Sequence, residues 1–197
     1  MRRCVDRLPL ILAALAVAGA ARPGREAAEI GVLKRDLLSS PSATLVLAQW
    51  CADHHLAEPA RISALRQRDI KKPADARVRH ALHADPLEPL LYRRVNLTCG
   101  GHVLSKADNW YRPRLLTAEM NRRLETTDAP FGLVVAPLNF HRRVLRVTRA
   151  TEARDVLLLR AVLISAGGAP FALVQETYTD EILARSPIGT PRSADHW

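Results

Sequence analysis

The second half of the chain alternates apolar and polar residues at the two-residue spacing that is typical of β-strands. Four extended runs form two pairs, and each pair is joined by a Gly-Gly dipeptide. Glycine readily adopts the positive φ angles that tight turns need, so each pair predicts a β-hairpin. The runs span residues 91–99 and 102–111 in the first hairpin, and residues 156–165 and 169–179 in the second.

A fifth run, residues 139–148, has the alternation of a half-buried strand. Successive side chains of a strand point to opposite faces. We therefore expect Phe140, Arg142, Val144 and Arg146 on one face, and the intervening residues on the other.

Helical spacing of apolar residues is confined to shorter segments. Residues 27–38 predict one helix, residues 43–56 predict a second that Ser42 can cap, and residues 118–126 predict a third. Residues 59–76 are interpreted as a connecting loop with some helix. Consecutive strands with segregated helices predict a single-domain α+β protein. Its antiparallel sheet would contain the two Gly-Gly hairpins and one further strand.

The N-terminus has the pattern of a secretory signal peptide. Arg2 and Arg3 precede an apolar run, residues 8–20, that ends in small residues. The run is shorter than the roughly 20 apolar residues that span a bilayer; an uncleaved membrane anchor is the alternative. We expect export, to the bacterial periplasm, with no stable membrane insertion after cleavage. The expected units are a signal peptide (1–21), the domain (22–185) and a loose tail (186–197).

The chain is basic, with a formal charge of +9. The first 20 residues contribute +2, because Arg2, Arg3 and Arg7 stand against Asp6, which leaves +7 for the rest. The arginines are scattered rather than clustered in a run, and export also argues against nucleic acid. We therefore predict a small anionic ligand as the partner; the sequence does not indicate an oligomeric state.

Two cysteines remain once the signal peptide, with Cys4, is removed. In an oxidising compartment Cys51 and Cys99 can form one disulfide, and two buried free thiols are the alternative. No cysteine or histidine spacing indicates a metal site, and the sequence predicts no cofactor.

Glu176 is the most informative candidate for chemistry. Within the last strand, Ala172, Val174, Glu176 and Tyr178 share one face. An ionised carboxylate among apolar groups loses hydration and needs a partner or a proton. Such carboxylates cluster at functional sites, so Glu176 is the candidate catalytic residue. The alternative is a glutamate on an edge strand that reaches water.

The order of elements between about residues 90 and 180 resembles the chorismate pyruvate-lyase family, whose fold is shared by the ligand-sensing UTRA domains of bacterial transcription regulators. Three segments carry the resemblance: the strand 92–99, which ends at Cys99, the turn 127–132, and Leu173-Val-Gln-Glu176. It implies a divergent, exported member of this group. It also places a substrate-binding arginine on Arg94, with Arg93 as a one-residue alternative.

One position departs from the family pattern. Where the family has a second substrate arginine, four residues before a proline, this chain has Asn109. Arg112 lies an odd number of positions away, which puts it on the opposite face. The loss of one charge-assisted contact to a carboxylate would cost on the order of 1.5–3 kcal/mol.

These residues define the expected ligand site. Arg94 would bind a carboxylate, Asn109 would supply neutral hydrogen bonds, and Glu176 would accept a hydroxyl or donate a proton. The other expected ligand-binding residues are Trp110 and Tyr111 as aromatic walls and Gly132 as a backbone donor. Each also has a structural interpretation, as a surface arginine, a capping residue, core aromatics or a turn glycine.

Three functions follow. The first is an exported protein that binds an anionic, aromatic carboxylate in a buried cavity. The second is a carbon–oxygen lyase that releases pyruvate and 4-hydroxybenzoate from chorismate. The third is a structural or interaction protein of the cell envelope with no ligand site.

Overall fold

The structure, a computed structural model, describes residues 23–184. The predicted signal peptide and C-terminal tail lie outside the described residues. The helices are α1 (Pro23–Ser39), α2 (Ala43–Asp53), α3 (Ala76–Ala81), α4 (Ala118–Thr126) and α5 (Phe131–Val134). The strands are β1 (Ile62–Arg66), β2 (Leu91–Cys99), β3 (His102–Tyr111), β4 (His141–Arg149), β5 (Asp155–Ile164) and β6 (Pro170–Thr179).

All six strands form one sheet in the order β1-β2-β3-β6-β5-β4, and every neighbouring pair is antiparallel. The α+β class and both predicted hairpins are confirmed. Gly100 and Gly168, at the two hairpin turns, have φ angles of +55° and +82°. The sequence did not predict β1, whose five residues lie in the segment interpreted as a loop.

The sheet has two faces that are covered to different extents. Its inner face, defined as the face that bears Glu176, packs against α1, α2, α4 and α5 and holds the larger hydrophobic core. Among the described residues, its outer face is covered by α3 and the segments beside it, through a small cluster of Val78, Leu82, Trp110, Val162 and Leu173. Ion pairs such as Arg94–Asp108 and Lys106–Asp155 occupy other parts of this face.

A disulfide joins the inner helical layer to the sheet. Cys51 of α2 and Cys99 at the end of β2 are bonded, and their Cα atoms are 6.2 Å apart. Both residues are fully buried. The sequence left a disulfide and two free thiols equally open, and the structure contains the disulfide.

The edge strand β4 carries a β-bulge that corrects the predicted alternation. The register shifts between Val144 and Arg146, so that Arg143 faces Val162 and Arg146 faces Arg160. Val162 and Arg160 are two residues apart on β5 and share its outer face. Arg146 therefore lies on the outer face, opposite to the prediction, because a bulge adds one residue to the strand.

A buried ion pair closes one end of the outer face. Glu88 accepts hydrogen bonds from Arg112 at 2.8 Å and from Arg114 at 2.6 Å. Arg112 also donates to the carbonyls of Leu82 and Pro170, which links the end of α3 to the start of β6. The predicted outward direction of Arg112 is thus observed. Within residues 23–184, no helix is long and apolar enough to cross a membrane.

The Glu88 ion pair predicts acid sensitivity. The hydrogen bonds from Arg112 and then Arg114 lower the pKa of Glu88 to about 2, whereas a glutamate in an unfolded chain titrates near 4.3. A lowered pKa stabilises the fold above the unfolded value, and this contribution is lost as the pH falls from about 4.5 to about 2. We expect Glu88→Gln to lose about 3 kcal/mol at pH 7 and to show a flatter pH dependence in urea unfolding.

Glu119→Gln is the matched control, because Glu119 forms an exposed ion pair with Arg122 and such pairs contribute less than about 1 kcal/mol. Equal losses in the two variants would contradict this role of Glu88.

Candidate functional site

Glu176 lies on a central strand and is compensated by a side chain from the edge of the sheet. Arg142 Nη2 donates to Glu176 Oε2 at 2.8 Å, and the two side chains are 5% and 9% exposed. The hydroxyl of Tyr178 donates to the same oxygen at 2.9 Å. The alternative of a glutamate that reaches water from an edge strand is therefore wrong.

Tyr178 remains a hydrogen-bond donor to this carboxylate. Complete burial, and then the negative charge of Glu176, raise the pKa of the Tyr178 phenol well above its ordinary value. Both described hydrogen bonds go to Oε2, so Glu176 Oε1 has no partner among residues 23–184. One carboxylate oxygen is thus left for another group.

A small cavity lies between this group and the helices of the inner face. Its volume is about 30 Å³, and a water molecule needs roughly 10–15 Å³, so it has room for two or three waters at most. Polar groups line it from the sheet, from the start of α2 and from α5. Phe131 and Phe140 supply aromatic walls. The polar lining comprises Ser42, Thr44, Asn109, Gly132, Arg142 and Glu176.

Two buried donors in this lining have no partner within residues 23–184. Ser42 precedes α2 in the N-cap position, but its side chain does not cap the helix. Ser42 Oγ and Arg142 Nε are both shielded from solvent without a hydrogen bond in the described chain. The first amides of α2 also lack intrahelical acceptors, and the start of a helix carries a partial positive charge. These unpartnered donors, with the first amides of α2, can therefore hydrogen-bond to a negatively charged group in the cavity.

Gly132 allows two helices to approach each other beside the cavity. A Cβ atom built on Gly132 would lie 3.2 Å from Ser42 Oγ and 3.6 Å from Thr44 Oγ1. An alanine at this position would require the Ser42 hydroxyl to shift by a few tenths of an ångström. Gly132 thus contributes close approach of the backbone rather than a turn conformation.

Three of the sequence-predicted residues come together: Glu176, Asn109 and Gly132 all line the cavity. Asn109 donates from Nδ2 to the carbonyl of Arg93 at 3.3 Å. Tyr111 is on the same face but outside the cavity lining, where it packs on Phe131 with the ring centroids 5.4 Å apart.

The expectation that Arg94 and Trp110 share this site is wrong. Both lie on the outer face, where Arg94 pairs with Asp108 at 2.7 Å. Trp110 donates from Nε1 to the carbonyl of Lys72. Side chains alternate along a strand, so a shift of one residue reverses the face.

Arg93, the one-residue alternative, is the arginine of β2 that lies on the inner face, directly opposite Asn109. It is 1% exposed, and burial lowers its pKa to about 10. Arg93 Nη2 donates to the carbonyls of Thr127 and Ala129. It therefore holds the turn that leads into α5 and Gly132.

Sequence reasoning missed Arg142 and Ser42 as site residues. Arg142 was placed on a half-buried strand, and its position beside Phe140 and Val144 on one face was the available signal. Ser42 was interpreted only as a helix cap. Among residues 23–184 no group of three or more histidine, cysteine or acidic side chains could hold a metal ion.

The fold and the site define an α+β protein with a small polar cavity beneath a six-stranded antiparallel sheet. Protein y4mC of Sinorhizobium fredii (strain NBRC 101917 / NGR234), described as uncharacterized, is 41% identical over a match covering 79% of this chain and 76% of y4mC. The chain belongs to the same family as y4mC. No protein-family model matches it.

Solved structures resemble the chain more distantly. PhnF of Mycobacterium smegmatis is 11% identical, with a TM-score of 0.49 over 67% of this chain and 64% of PhnF. Gene product SA0254 of Staphylococcus aureus subsp. aureus N315 is 12% identical, with a TM-score of 0.49 over 64% of this chain and 88% of that one.

YydK of Bacillus subtilis subsp. subtilis str. 168 is 15% identical, with a TM-score of 0.46 over 61% of this chain. The match spans 59% of YydK, and that with PhnF 64%, so the chain covers less than two thirds of either protein.

The Arg142–Glu176 pair predicts strong energetic coupling. Arg142→Gln leaves a buried carboxylate without its cation, so we expect it to cost about 3 kcal/mol or more. Glu176→Gln in the same chain removes that uncompensated charge, and the double variant should cost at least about 1 kcal/mol less than the sum of the single variants. Chemical unfolding of the four proteins measures the coupling.

Arg154→Gln serves as the control, because Arg154 is 69% exposed and pairs with Asp180 and Glu181 at the surface. Strict additivity of Arg142→Gln and Glu176→Gln would show that the pair is not coupled.

Proposed function

We propose that the chain binds a small anionic molecule, with a carboxylate held between the start of α2 and Arg142. The observation that carries this proposal is the pair of unpartnered buried donors in one cavity, Ser42 Oγ and Arg142 Nε. Buried polar groups are nearly always hydrogen-bonded. A carboxylate would accept from both donors and from the first amides of α2.

The remaining lining indicates the rest of the ligand. Glu176 Oε1 can accept a hydroxyl hydrogen, and Asn109 can supply neutral hydrogen bonds. Phe131 and Phe140 offer the aromatic surface that Trp110 and Tyr111 were expected to provide. We therefore favour an aromatic carboxylate that also carries a hydroxyl group.

Binding of such a molecule requires the cavity to enlarge. A volume of about 30 Å³ is far below the 300–1,000 Å³ that is typical of ligand sites. Pro41 is exposed and Phe140 is half-buried. These two residues form the part of the cavity wall that would move outwards to admit the ligand. When the wall closes again, it would exclude water from the bound carboxylate.

The lyase alternative uses the same residues in another way. It would require Glu176 to take part in loss of the enol-pyruvyl group, although Asn109 replaces the second arginine of the resembled family. Arg93 does not substitute for it, because Arg93 lies outside the lining of the cavity and its Nη2 donates to the turn before α5. Binding without turnover is accordingly the preferred function.

Export belongs to the same proposal. The first 21 residues have the pattern of a signal peptide, and the Cys51–Cys99 disulfide suits an oxidising compartment. The ligand would then be met outside the cytoplasm.

We expect 4-hydroxybenzoate to bind at least tenfold more tightly than 4-hydroxybenzamide, its neutral analogue, in isothermal titration calorimetry. Arg142→Gln should weaken binding of the acid by at least tenfold. Glu176→Gln should strengthen it about tenfold, equivalent to about 1.4 kcal/mol, because a competing carboxylate leaves Arg142. Arg154→Gln is the control for a change of surface charge.

Two outcomes would replace the proposal. Absence of binding to either compound at millimolar concentration would favour a structural or interaction protein. Sustained release of pyruvate from chorismate by the purified chain, lost in Glu176→Gln, would establish the lyase.

When the full sequence is expressed in a Gram-negative bacterium, we expect the chain in the periplasmic fraction, shortened by about 21 residues. Its intact mass should show Cys51 and Cys99 oxidised. A chain begun at Arg22 behind a new methionine should stay in the cytoplasm with both thiols reduced. Full-length protein in the cytoplasm of the first strain would refute export.

A further inference from the structure

A second cleft lies on the outer face of the sheet, between α3 and the edge strand β4. Its volume is about 600 Å³, within the range of small-molecule sites. Among residues 23–184, no aspartate or glutamate contributes to its lining. The charged and titratable residues around it are Arg77, His80, His83, Arg143, Arg146 and Arg160.

The bulge in β4 assembles the arginines of this cleft. Arg143 and Arg146 are three residues apart and would point to opposite faces of a regular strand. The shifted register places both on the outer face, and sets Arg146 directly opposite Arg160. Like charges that face each other across strands are destabilising. A bound anion would remove that repulsion.

The described part of the chain does not compensate the arginines of this cleft. Arg143, Arg146 and Arg160 form no ion pair or side-chain hydrogen bond within residues 23–184, and Arg160 Nε is shielded from solvent without a partner. Elsewhere on the outer face, Arg94 is paired with Asp108 and Lys106 with Asp155. The acids of this face are thus already used by other cations.

A neighbouring cleft shows the contrast. It has a volume of about 510 Å³ and shares Arg146 and Arg160. Its lining adds the cations Arg94, Lys106 and Arg149 but also the acids Glu152 and Asp155. Two of these cations are already compensated, because Lys106 is paired with Asp155 and Arg94 with Asp108. The cleft beside α3 is the more strongly positive of the two.

His83 lies at the edge of the cleft. It follows the end of α3 with a φ of +50°, a left-handed conformation in which glycine is the usual residue and histidine is enriched among the others. Its imidazole can donate a hydrogen bond to an anion in the cleft.

We propose that the cleft between α3 and β4 binds a small phosphate-bearing molecule with at least two negative charges. Guanidinium groups bind phosphate oxygens through paired hydrogen bonds. Several facing arginines need more than one negative charge for compensation. The site is separate from the inner cavity, because Arg142 and Arg143 are adjacent on β4 and point to opposite faces of the sheet.

Titration of the full chain with inorganic pyrophosphate at physiological ionic strength tests this site. We expect one molecule bound per chain, with a dissociation constant below about 1 mM. Arg143→Gln combined with Arg146→Gln should weaken binding at least tenfold. Neither arginine has a described partner, so the fold should be unaffected. Arg123→Gln, on the exposed side of α4, should change affinity less than twofold.

His83→Gly separates binding from folding. We expect it to weaken pyrophosphate binding severalfold while the melting temperature stays the same or rises, since glycine suits the positive φ. Arg143→Gln combined with Arg146→Gln should leave the binding of 4-hydroxybenzoate unchanged, so failure of the inner site and failure of this site are distinguishable.

Other results would overturn the proposal. Equal loss in Arg123→Gln would show a general charge effect, and citrate binding as tightly as pyrophosphate would show no preference for phosphate. A single-stranded oligonucleotide that binds more tightly and loses binding in the same variants would identify a polymer as the occupant.

Discussion

A carboxylate on the central strand β6 can be buried only because a guanidinium from the edge of the sheet reaches it. Glu176 and Arg142 are separated by the whole of β5, and their contact fixes the edge strand to the middle of the sheet. Isolated, either charge would be strongly unfavourable in this environment. The hydroxyl of Tyr178 donates a further hydrogen bond to Glu176. The inner cavity lies between this group and the helices α2 and α5.

The same edge strand serves two chemically different faces. Its regular part sends Arg142 inwards, to a compensated and nearly closed site, and Arg143 outwards. The bulge then adds Arg146 to the outer set and returns Val147 to the core. One extra residue in β4 thus decides whether the side chain of Arg146 points to the inner or to the outer face of the sheet.

Much of the fold could be predicted from local signals. The Gly-Gly turns and the alternation of the flanking runs gave both hairpins, and the same alternation gave the inner faces of Glu176 and Asn109. The short strand β1 lacks such a turn and could not be recognised. The order of the strands, which decides what Glu176 meets, depends on pairings remote in sequence. Arg142 therefore escaped prediction although its strand was expected.

The errors in the site have one physical origin. Faces alternate with every residue, so the choice between Arg93 and Arg94 reverses a side chain completely, and the bulge near Leu145 does the same for Arg146. Trp110 adjoins Asn109 in sequence and was therefore expected in the site, whereas neighbours along a regular strand point to opposite faces. Register, rather than residue type, limited the prediction.

The disulfide has a mechanical consequence for the inner cavity. It ties α2 to the sheet at Cys51, near the C-terminal end of the helix, where Trp50 also donates to the carbonyl of Ile182. The opposite end, at Ser42 to Thr44, lines the cavity. Any displacement of α2 that widens the cavity must therefore swing about the covalently anchored end, as a lever does about its fulcrum.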